Sequence, residues 1–263
     1  MRKIQLVIPA AGLGSRFSSV GVTTPKPVID VQGLPMISWV IGNFNLLPTD
    51  VVIIVTRPEI GLSEILLPYL QTFHCRVELV YVDEVTEGPA ITVSLAKSVL
   101  DLEEPLIVAN SDQYVSASLD NFVDQVRNSS SCGQILTMAA SGSKWSYIRR
   151  NVAGDISEVR EKVEISNEAT VGIYGWSKAT YFFESLESML ASDDRTNGEF
   201  YVAPSYNYLI EQMLPVSAIN IGDVEHQVHG LGTPEDLEIF MQHVRLQDYF
   251  HSVEKNLGLS GES

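Results

Sequence analysis

Cysteine is nearly missing from this chain. Cys75 and Cys132 are its two cysteines, too few and too far apart for a disulfide framework or a zinc motif. They read as buried thiols of a protein kept in a reducing compartment, the cytoplasm. Basic residues are scarce as well: 17 Lys and Arg stand against 33 Asp and Glu, for a formal net charge of −16. That balance argues against nucleic acid or an anionic membrane as partner, because a phosphate backbone demands a basic face. Free nucleotides stay admissible, since they arrive with a metal. No stretch approaches the ~18 apolar residues that cross a bilayer, and the N-terminus lacks the long apolar core of a signal peptide. Linkers rich in Ser, Gly or Pro, internal repeats and low-complexity tracts are all missing before the tail at 258–263. These absences predict one compact unit over residues 1–257, supplied with core by a 45% hydrophobic content, and a flexible tail at 258–263.

The first informative stretch that is present lies at the N-terminus. The apolar run Ile4 to Ile8 ends at Pro9 and opens into Ala10-Ala11-Gly12-Leu13-Gly14-Ser15-Arg16, with Pro25-Lys26-Pro27 following. Gly12 and Gly14 let the backbone approach an anion closely, so that amides from Gly12 to Arg16 can converge on phosphate oxygens. Residues 1–30 carry Arg2, Lys3, Arg16 and Lys26 against Asp30 alone, a local excess of cations in an acidic protein. Pro25 and Pro27 restrict the backbone on both sides of Lys26 and partly fix its direction. Two familiar phosphate loops are excluded. Phe17 stands where a dinucleotide fingerprint needs a third Gly or Ala, and no Gly-Lys-Ser/Thr closes the loop as a P-loop requires.

Short β-branched runs at Ile4–Ile8, Val51–Val55, Val77–Val82 and Leu106–Val108 predict buried parallel strands. Helical periodicity fills the intervals Pro35 to Phe44, Leu62 to Phe73 and Pro89 to Leu100, with Pro35 and Pro89 as first helical residues. Alternating βαβ units imply an α/β fold with a doubly wound, mostly parallel sheet whose ligands bind beyond the carboxyl ends of its strands. The second half is less regular. Strands are expected at Gln134–Ala139, Ser146–Arg149, Ile156–Arg160, Val171–Trp176, Val216–Ile221 and Glu225–His229, and helices at Ala179–Leu190, Val202–Met213 and Pro234–Phe250. The expected organisation is a nucleotide-binding half over about 1–130, an acceptor-binding half over about 131–240 sharing the same sheet, and a C-terminal helix at 240–257. Asp112 follows the fourth strand directly, where a carboxylate is well placed to hold Mg²⁺ against triphosphate oxygens; a turn former or helix cap is the other reading.

Ala-Ala-Gly-Leu-Gly-Ser-Arg followed by Pro-Lys-Pro resembles the signature of the sugar-phosphate nucleotidylyltransferases, the pyrophosphorylases that make nucleotide-activated sugars and related phospho-compounds. Glu87-Gly88-Pro89-Ala90 resembles the family's nucleotide-contacting turn, Asn110-Ser111-Asp112 its metal-carboxylate position, and Glu161-Lys162 its acceptor-phosphate motif. Ala169 to Tyr174 and Gly232-Thr233-Pro234-Glu235-Asp236 resemble further landmarks, so the likeness runs from residue 4 to about 240 in the expected order. It implies a nucleotide-diphospho-sugar-transferase-like, Rossmann-like three-layer sandwich and an Mg²⁺-dependent transfer of NMP from an NTP to a small phosphorylated acceptor, with pyrophosphate released. Nucleotide binding falls to Ala10, Ala11, Gly12, Leu13, Gly14, Ser15, Glu87, Gly88, Pro89 and Ser111. Arg16 would hold the leaving phosphates, Lys26 would stabilise charge at the α-phosphate, and Asp112 would carry the metal. Lys162 would grip the acceptor phosphate and Glu161 its polar body, beside Gly172. CTP or UTP is preferred by analogy with branches that activate phosphocholine-like compounds or sugars.

The pattern also departs from the family. A second metal-binding aspartate often sits two residues before the Gly-Thr matched by Gly232-Thr233, and Gly230 stands there instead. Asp223, Glu225 and His229 are the replacements at hand, unless one carboxylate suffices; His226 and His229 are expected to face opposite sides. Lys144-Trp145-Ser146-Tyr147 is a candidate acceptor wall, and Trp176, Tyr201 and Tyr206 are further aromatic candidates, with core packing the other reading of each. Glu199, in a polar turn, is placed to reach a hydroxyl or an amine. Two other functions stay open: a glycosyltransferase of related architecture, against which Asn110-Ser111-Asp112 offers one aspartate where Asp-x-Asp is usual, and a noncatalytic nucleotide-binding protein. The acceptor's identity and a homo-oligomeric state are left open.

Overall fold

The computed structural model describes residues 1–70 and 73–259. The first half runs β1 (Gln5–Pro9), α1 (Ser15–Ser18), β2 (Asp30–Val31), β3 (Leu34–Pro35), α2 (Met36–Ile41), β4 (Val51–Thr56), α3 (Leu62–Leu70), β5 (Arg76–Tyr81), α4 (Pro89–Ser94), β6 (Leu106–Ala109), β7 (Gln113–Val115) and α5 (Asp120–Asn128). The second runs β8 (Gly133–Ala139), β9 (Ser146–Arg150), β10 (Ile156–Glu161), β11 (Glu168–Trp176), α6 (Ala179–Ala191), α7 (Tyr206–Glu211), β12 (Val216–Asp223), α8 (Val224–Gln227), β13 (Val228–Gly230), α9 (Pro234–Met241) and α10 (Leu246–Leu257).

Alternation along the central strands explains why they are apolar throughout. Leu6, Ile8, Val52, Ile54 and Ile107 enter one core, while Val7, Ile53, Val55, Leu106 and Val108 enter another on the opposite face of the sheet. Successive side chains point to opposite faces, and both faces are covered, so polar residues are confined to the strand ends, at Gln5 of β1 and Thr56 of β4. Trp39 of α2, Leu66 of α3, Phe122 of α5 and Tyr249 of α10 close the first core. Val93 of α4, Phe182 of α6 and Leu209 of α7 close the second. Helix layer, sheet and helix layer make a three-layer α/β sandwich.

The parallel strands lie in the order β6-β1-β4-β5. Strand β11 joins antiparallel to β6 and β8, touches β9 at Ala169, and shifts register against β8 between Thr170 and Tyr174, where its other edge passes from β9 to β6. The mixed sheet is completed by the β9–β10 hairpin and by β12 parallel to β8. Since β4 leaves β1 on one side and β6 returns on the other, a crevice opens at the carboxyl ends of β1 and β6, where doubly wound sheets bind ligands. Among the described residues no helix is long and apolar enough to cross a membrane.

Several expected elements are corrected. The run at Val77–Val82 is an edge strand with half-buried residues rather than a buried one. Pro35 ends β3 and caps α2 instead of opening it, whereas Pro89 is the first residue of α4. That helix stops at Ser94, before a 3-10 turn at Lys97–Val99. Glu225–His229 is not one strand: the Asp223 carboxylate accepts the His226 amide and starts α8, leaving Val228–Gly230 as β13. A 3-10 turn at Ala203–Ser205 precedes α7, so the Val202–Met213 helix is shortened to Tyr206–Glu211. Pro234–Phe250 is two helices, separated where the His243 amide closes back on the Phe240 carbonyl at 3.0 Å. Of the expected tail, Gly258 caps α10 with a left-handed φ of 79°, and residues 260–263 lie outside the described residues, as do 71 and 72 of the helix expected to end at Phe73.

A buried ion pair ties the base of the sheet together. Arg127 donates to both oxygens of Asp50 at 2.8 and 2.7 Å and to the Arg2 carbonyl at 2.6 Å, and Asp50 also accepts the Ile4 and Leu47 amides at 2.8 Å. The pair is 2% and 0% exposed. Removing one member leaves a buried charge uncompensated, which costs about 3–5 kcal/mol. Asp50→Ala is therefore expected to lower the free energy of urea unfolding by that amount, far more than any exposed carboxylate substitution; a loss under about 1 kcal/mol contradicts it.

Candidate active site

The glycine loop leaves β1 with the Ala10 amide bonded to the Val55 carbonyl at 2.8 Å. Gly14 adopts a left-handed φ of 63° and caps α1. A Cβ there would sit 3.2 Å from the Lys26 Cβ, so the loop packs directly on the lysine. No backbone carbonyl among the described residues accepts the amides of Gly12 to Arg16, which leaves them free for an anion. Lys26 opens a 3-10 turn between the two prolines, and its Nζ lies 2.9 Å from Asp112 Oδ2.

Asp112 is held by its backbone. Its carbonyl accepts the Leu231 amide at 2.8 Å, and the next strand, β7, pairs with β13 through Gln113 and Gly230. Asn43, in the turn just after α2, pins β7, donating to the Gln113 carbonyl at 2.9 Å and accepting the Val115 amide at 2.8 Å. Glycines surround the carboxylate. A Cβ at Gly232 would lie 2.4 Å from Asp112 Oδ2, and one at Gly230 would lie 3.2 Å from the carboxylate of Asp236. At the β11 register shift Gly172 has φ 84°, and a Cβ there would meet Asn110 Nδ2 at 2.2 Å. The Asn110 amide bonds the Gly172 carbonyl at 3.0 Å.

Two cavities meet here. The smaller, of about 180 Å³, is lined by Ala10, Ala11, Gly12, Lys26, Gly88, Pro89, Ser111, Thr86 and Glu199 among others. The larger, of about 500 Å³, is lined by Arg16, Pro89, Asp112, Lys144, Trp145, Glu161, Lys162 and Gly172, and extends to His229, Asp236 and Phe240. Lys26 and Asp112, an ion pair, thus belong to different cavities and mark the seam between them.

The walls are electrostatically varied. Glu161 is buried and accepts the Ser146 hydroxyl; burial pushes its carboxyl up, with the Ser146 bond and Lys162 pulling it back and Glu199 adding to the rise. Lys162 takes a left-handed φ of 56°, and its Nζ donates to the Tyr201 hydroxyl and lies 4.2 Å from that ring's centroid. Lys144 lies over Trp145 at 4.8 Å. His229 is held neutral, its imidazole pushed down to about 4 by burial and by neighbouring His243, so it brings no positive charge to an anion.

The model of the nucleotidyl transferase family matches residues 5–206 of this chain. The chain belongs to that family. A UTP–glucose-1-phosphate uridylyltransferase, AglF, of Haloferax volcanii is 23% identical over 250 residues, covering 93% of this chain and 97% of the relative. A 2-aminoethylphosphonate cytidylyltransferase of Lancefieldella rimae is 33% identical over 131 residues, about half of each chain at 49% and 50%. The crystal structure of a nucleoside-diphosphate-sugar pyrophosphorylase from Vibrio cholerae RC9 superposes with a TM-score of 0.76 at 24% identity, over 90% of this chain and 100% of that one, and shares its fold.

In this nucleotidyltransferase most residues singled out by sequence converge on the two cavities. Leu13, Gly14, Ser15 and Glu87 line neither. Leu13 is 67% exposed, Gly14 shapes the loop against Lys26, and the Glu87 carboxylate turns outward to Arg195 at 2.6 Å. Trp176 and Tyr206 are core residues, stacked with centroids 4.8 Å apart, whereas Tyr201 lines the larger cavity. Of the candidate replacements near Gly230, Asp223 pairs with exposed His226 instead, while Glu225 and His229 reach the wall. Asp236 and Thr170, which fall within the landmark segments but were given no site role, also line the larger cavity, as does Gln113, which was not singled out. For Asp236 a signal existed, since Thr233-Pro234-Glu235-Asp236 is a helix start whose cap Thr233 donates its hydroxyl to Asp236 Oδ2 at 2.8 Å.

Proposed function

We propose that this nucleotidyltransferase moves the NMP unit of an Mg²⁺-bound pyrimidine NTP onto a small phosphate monoester or a phosphonate in the cytoplasm, releasing pyrophosphate. The observation that carries this reading is the seam. A smaller cavity against the glycine loop and a roomier one share Pro89 and meet across the Lys26–Asp112 pair, which is the arrangement a two-substrate transfer needs. Relatives named for UTP with glucose 1-phosphate and for CTP with 2-aminoethylphosphonate support the pyrimidine and the small anionic acceptor.

The residues fit a magnesium ion. Three or more clustered His, Cys, Asp or Glu ligands are missing among the described residues, but Mg²⁺ with a nucleotide characteristically takes one or two carboxylates and several phosphate oxygens. Asp112 provides such a carboxylate, and the space beside it stays open because Gly232 has no side chain. When bound, Mg²⁺ offsets the charge of the triphosphate oxygens.

The loop amides and Arg16 take the β,γ-phosphates, and Lys26 lies where charge grows on the α-phosphate. Lys162 receives the acceptor phosphate, flanked by Lys144 and Trp145, while Glu161 and the backbone at Gly172 face the acceptor's body. An acceptor oxygen forms the new bond to the α-phosphorus as the bond to the β-phosphate oxygen breaks, and pyrophosphate carries the electron pair away. The acceptor oxygen is already ionised at neutral pH, so no general base is needed. Positioning and charge stabilisation supply the catalysis.

The test is a matrix of the four NTPs against phosphorylated sugars, polyols and amino alcohols and 2-aminoethylphosphonate, read by pyrophosphate release. One productive pair with CTP or UTP is expected. Binding of NTPs without turnover across the panel would restore the noncatalytic reading.

Glu161 gives a second check with opposite signs for stability and activity. Because the fold raises its carboxyl, the stability it contributes is complete below the ordinary carboxylate range and is lost as pH rises through the raised value. Glu161→Gln is thus expected to melt at or above the wild-type temperature at pH 7, to lose that advantage near pH 4, and to turn over more slowly at pH 7. A variant that melts lower at pH 7 but not at pH 4 contradicts the assignment.

A further inference from the structure

The segment 195–201 is fastened to both cavities. On the nucleotide side, Arg195 pairs with Glu87 at 2.6 Å and lies 4.0 Å over the Phe200 ring. The Phe200 amide donates to the Glu87 carbonyl at 2.8 Å, and the Phe200 carbonyl accepts the Ala90 amide at 3.0 Å. Contact is so close at Gly88 that a Cβ would lie 2.5 Å from the Phe200 carbonyl oxygen. Glu199 emerges from this junction into the smaller cavity. Two residues on, Tyr201 enters the larger cavity, donates its hydroxyl proton to Glu199 Oε2 at 2.6 Å and receives the Lys162 ammonium.

A phenol has one proton to give. With that proton committed to Glu199, the oxygen lone pairs of Tyr201 face Lys162, and the ring beneath holds the ammonium by cation–π attraction. Burial first, then Glu199 and Glu161, push the phenol well up, so it keeps its proton. Lysine is otherwise a flexible point charge with freely turning bonds. Here its direction is set by a residue whose own orientation is set from the neighbouring cavity.

We propose that Tyr201 is the positioning residue for the acceptor-binding Lys162, and that Glu199 makes this positioning respond to nucleotide in the smaller cavity. The proposal rests on the reading that Lys162 receives the acceptor phosphate. A nucleotide in that cavity displaces water from Glu199, and loss of water strengthens the Glu199–Tyr201 hydrogen bond by lowering the local dielectric. Lys162 is then held for the acceptor, so nucleotide and acceptor tighten one another's binding, as linkage requires.

Inorganic phosphate titrated calorimetrically into the full chain, alone and saturated with α,β-methylene CTP or α,β-methylene UTP, tests this. In the wild type, one of the two analogues is expected to tighten phosphate binding about tenfold, within the usual range of coupling between sites. Tyr201→Phe, which keeps the ring, and Glu199→Gln are each expected to lose most of that gain with unchanged melting temperature. Lys162→Ala weakens phosphate with and without nucleotide, and adding Tyr201→Phe to it changes nothing further. Retention of the gain in Tyr201→Phe and Glu199→Gln, or no gain in the wild type, overturns the proposal while leaving the role of Lys162 standing. Wild-type phosphate affinity in Lys162→Ala overturns both. Additive losses in the double variant would make Tyr201 a direct phosphate ligand and also overturn it.

Discussion

Replacing Lys26 by alanine is expected to lower kcat about a hundredfold or more, the cost of about 3 kcal/mol that accompanies loss of one preorganised charge at a developing anion. Three features of the fold make Lys26 the point of greatest leverage. Its backbone is fixed by buried Pro27 and by the 3-10 turn, its Cβ is packed against the glycine loop at Gly14, and its ammonium is directed by Asp112 at 2.9 Å. A mobile surface lysine would lose much of its benefit to the entropy of being ordered; this one is ordered in advance. The loss should fall on kcat more than on the KM for NTP, since the proposed interaction strengthens as charge builds on the α-phosphate. Steady-state pyrophosphate release on a productive substrate pair measures both constants, and an unchanged melting temperature shows that the fold is intact. Full activity in Lys26→Ala would remove this mechanism.

What could be read from the sequence was what a short window encodes. The glycine loop and Asp112 each sit close after the strand end that positions them, and Lys26 carries its own restraint in the two flanking prolines, so residue type and neighbourhood pointed to them. Alternation hid nothing in β1, β4 and β6, because both faces of those strands are buried. It misled at Arg76–Tyr81, since a sequence run does not say which strand lies at the edge. Asp236 reaches the site from far along the chain, beside Gly230, which lies opposite Gln113 in β13–β7. Tyr201 depends on a segment clamped to the Glu87 turn. Aromatic type alone could not separate Tyr201, which faces the cavity, from Tyr206, which stacks on Trp176 in the core. The Asp50–Arg127 pair likewise joins residues whose partnership exists only after folding.

Asp112→Asn should be comparably damaging, and its combination with Lys26→Ala should reveal that the two act as one unit. The amide preserves shape and the bond to Leu231, because that bond uses the Asp112 backbone carbonyl, so the fold should survive. What disappears is a negative charge with two proposed duties: directing Lys26 and holding Mg²⁺ beside the triphosphate. Losing the first lets the ammonium swing away; losing the second raises the metal concentration needed for turnover. A roughly hundredfold fall in kcat is therefore expected, together with a rightward shift of the Mg²⁺ activation curve and loss of the extra thermal stabilisation that Mg²⁺ adds to the NTP-bound protein. Groups 2.9 Å apart are not expected to behave independently. The double variant Lys26→Ala/Asp112→Asn should accordingly be little worse than the poorer single variant, with a coupling of about 0.5–3 kcal/mol. Fully additive losses would mean that lysine and aspartate serve separate steps, and an unmoved Mg²⁺ curve in Asp112→Asn would assign the metal to another carboxylate, with Asp236 beside Gly230 the next to test.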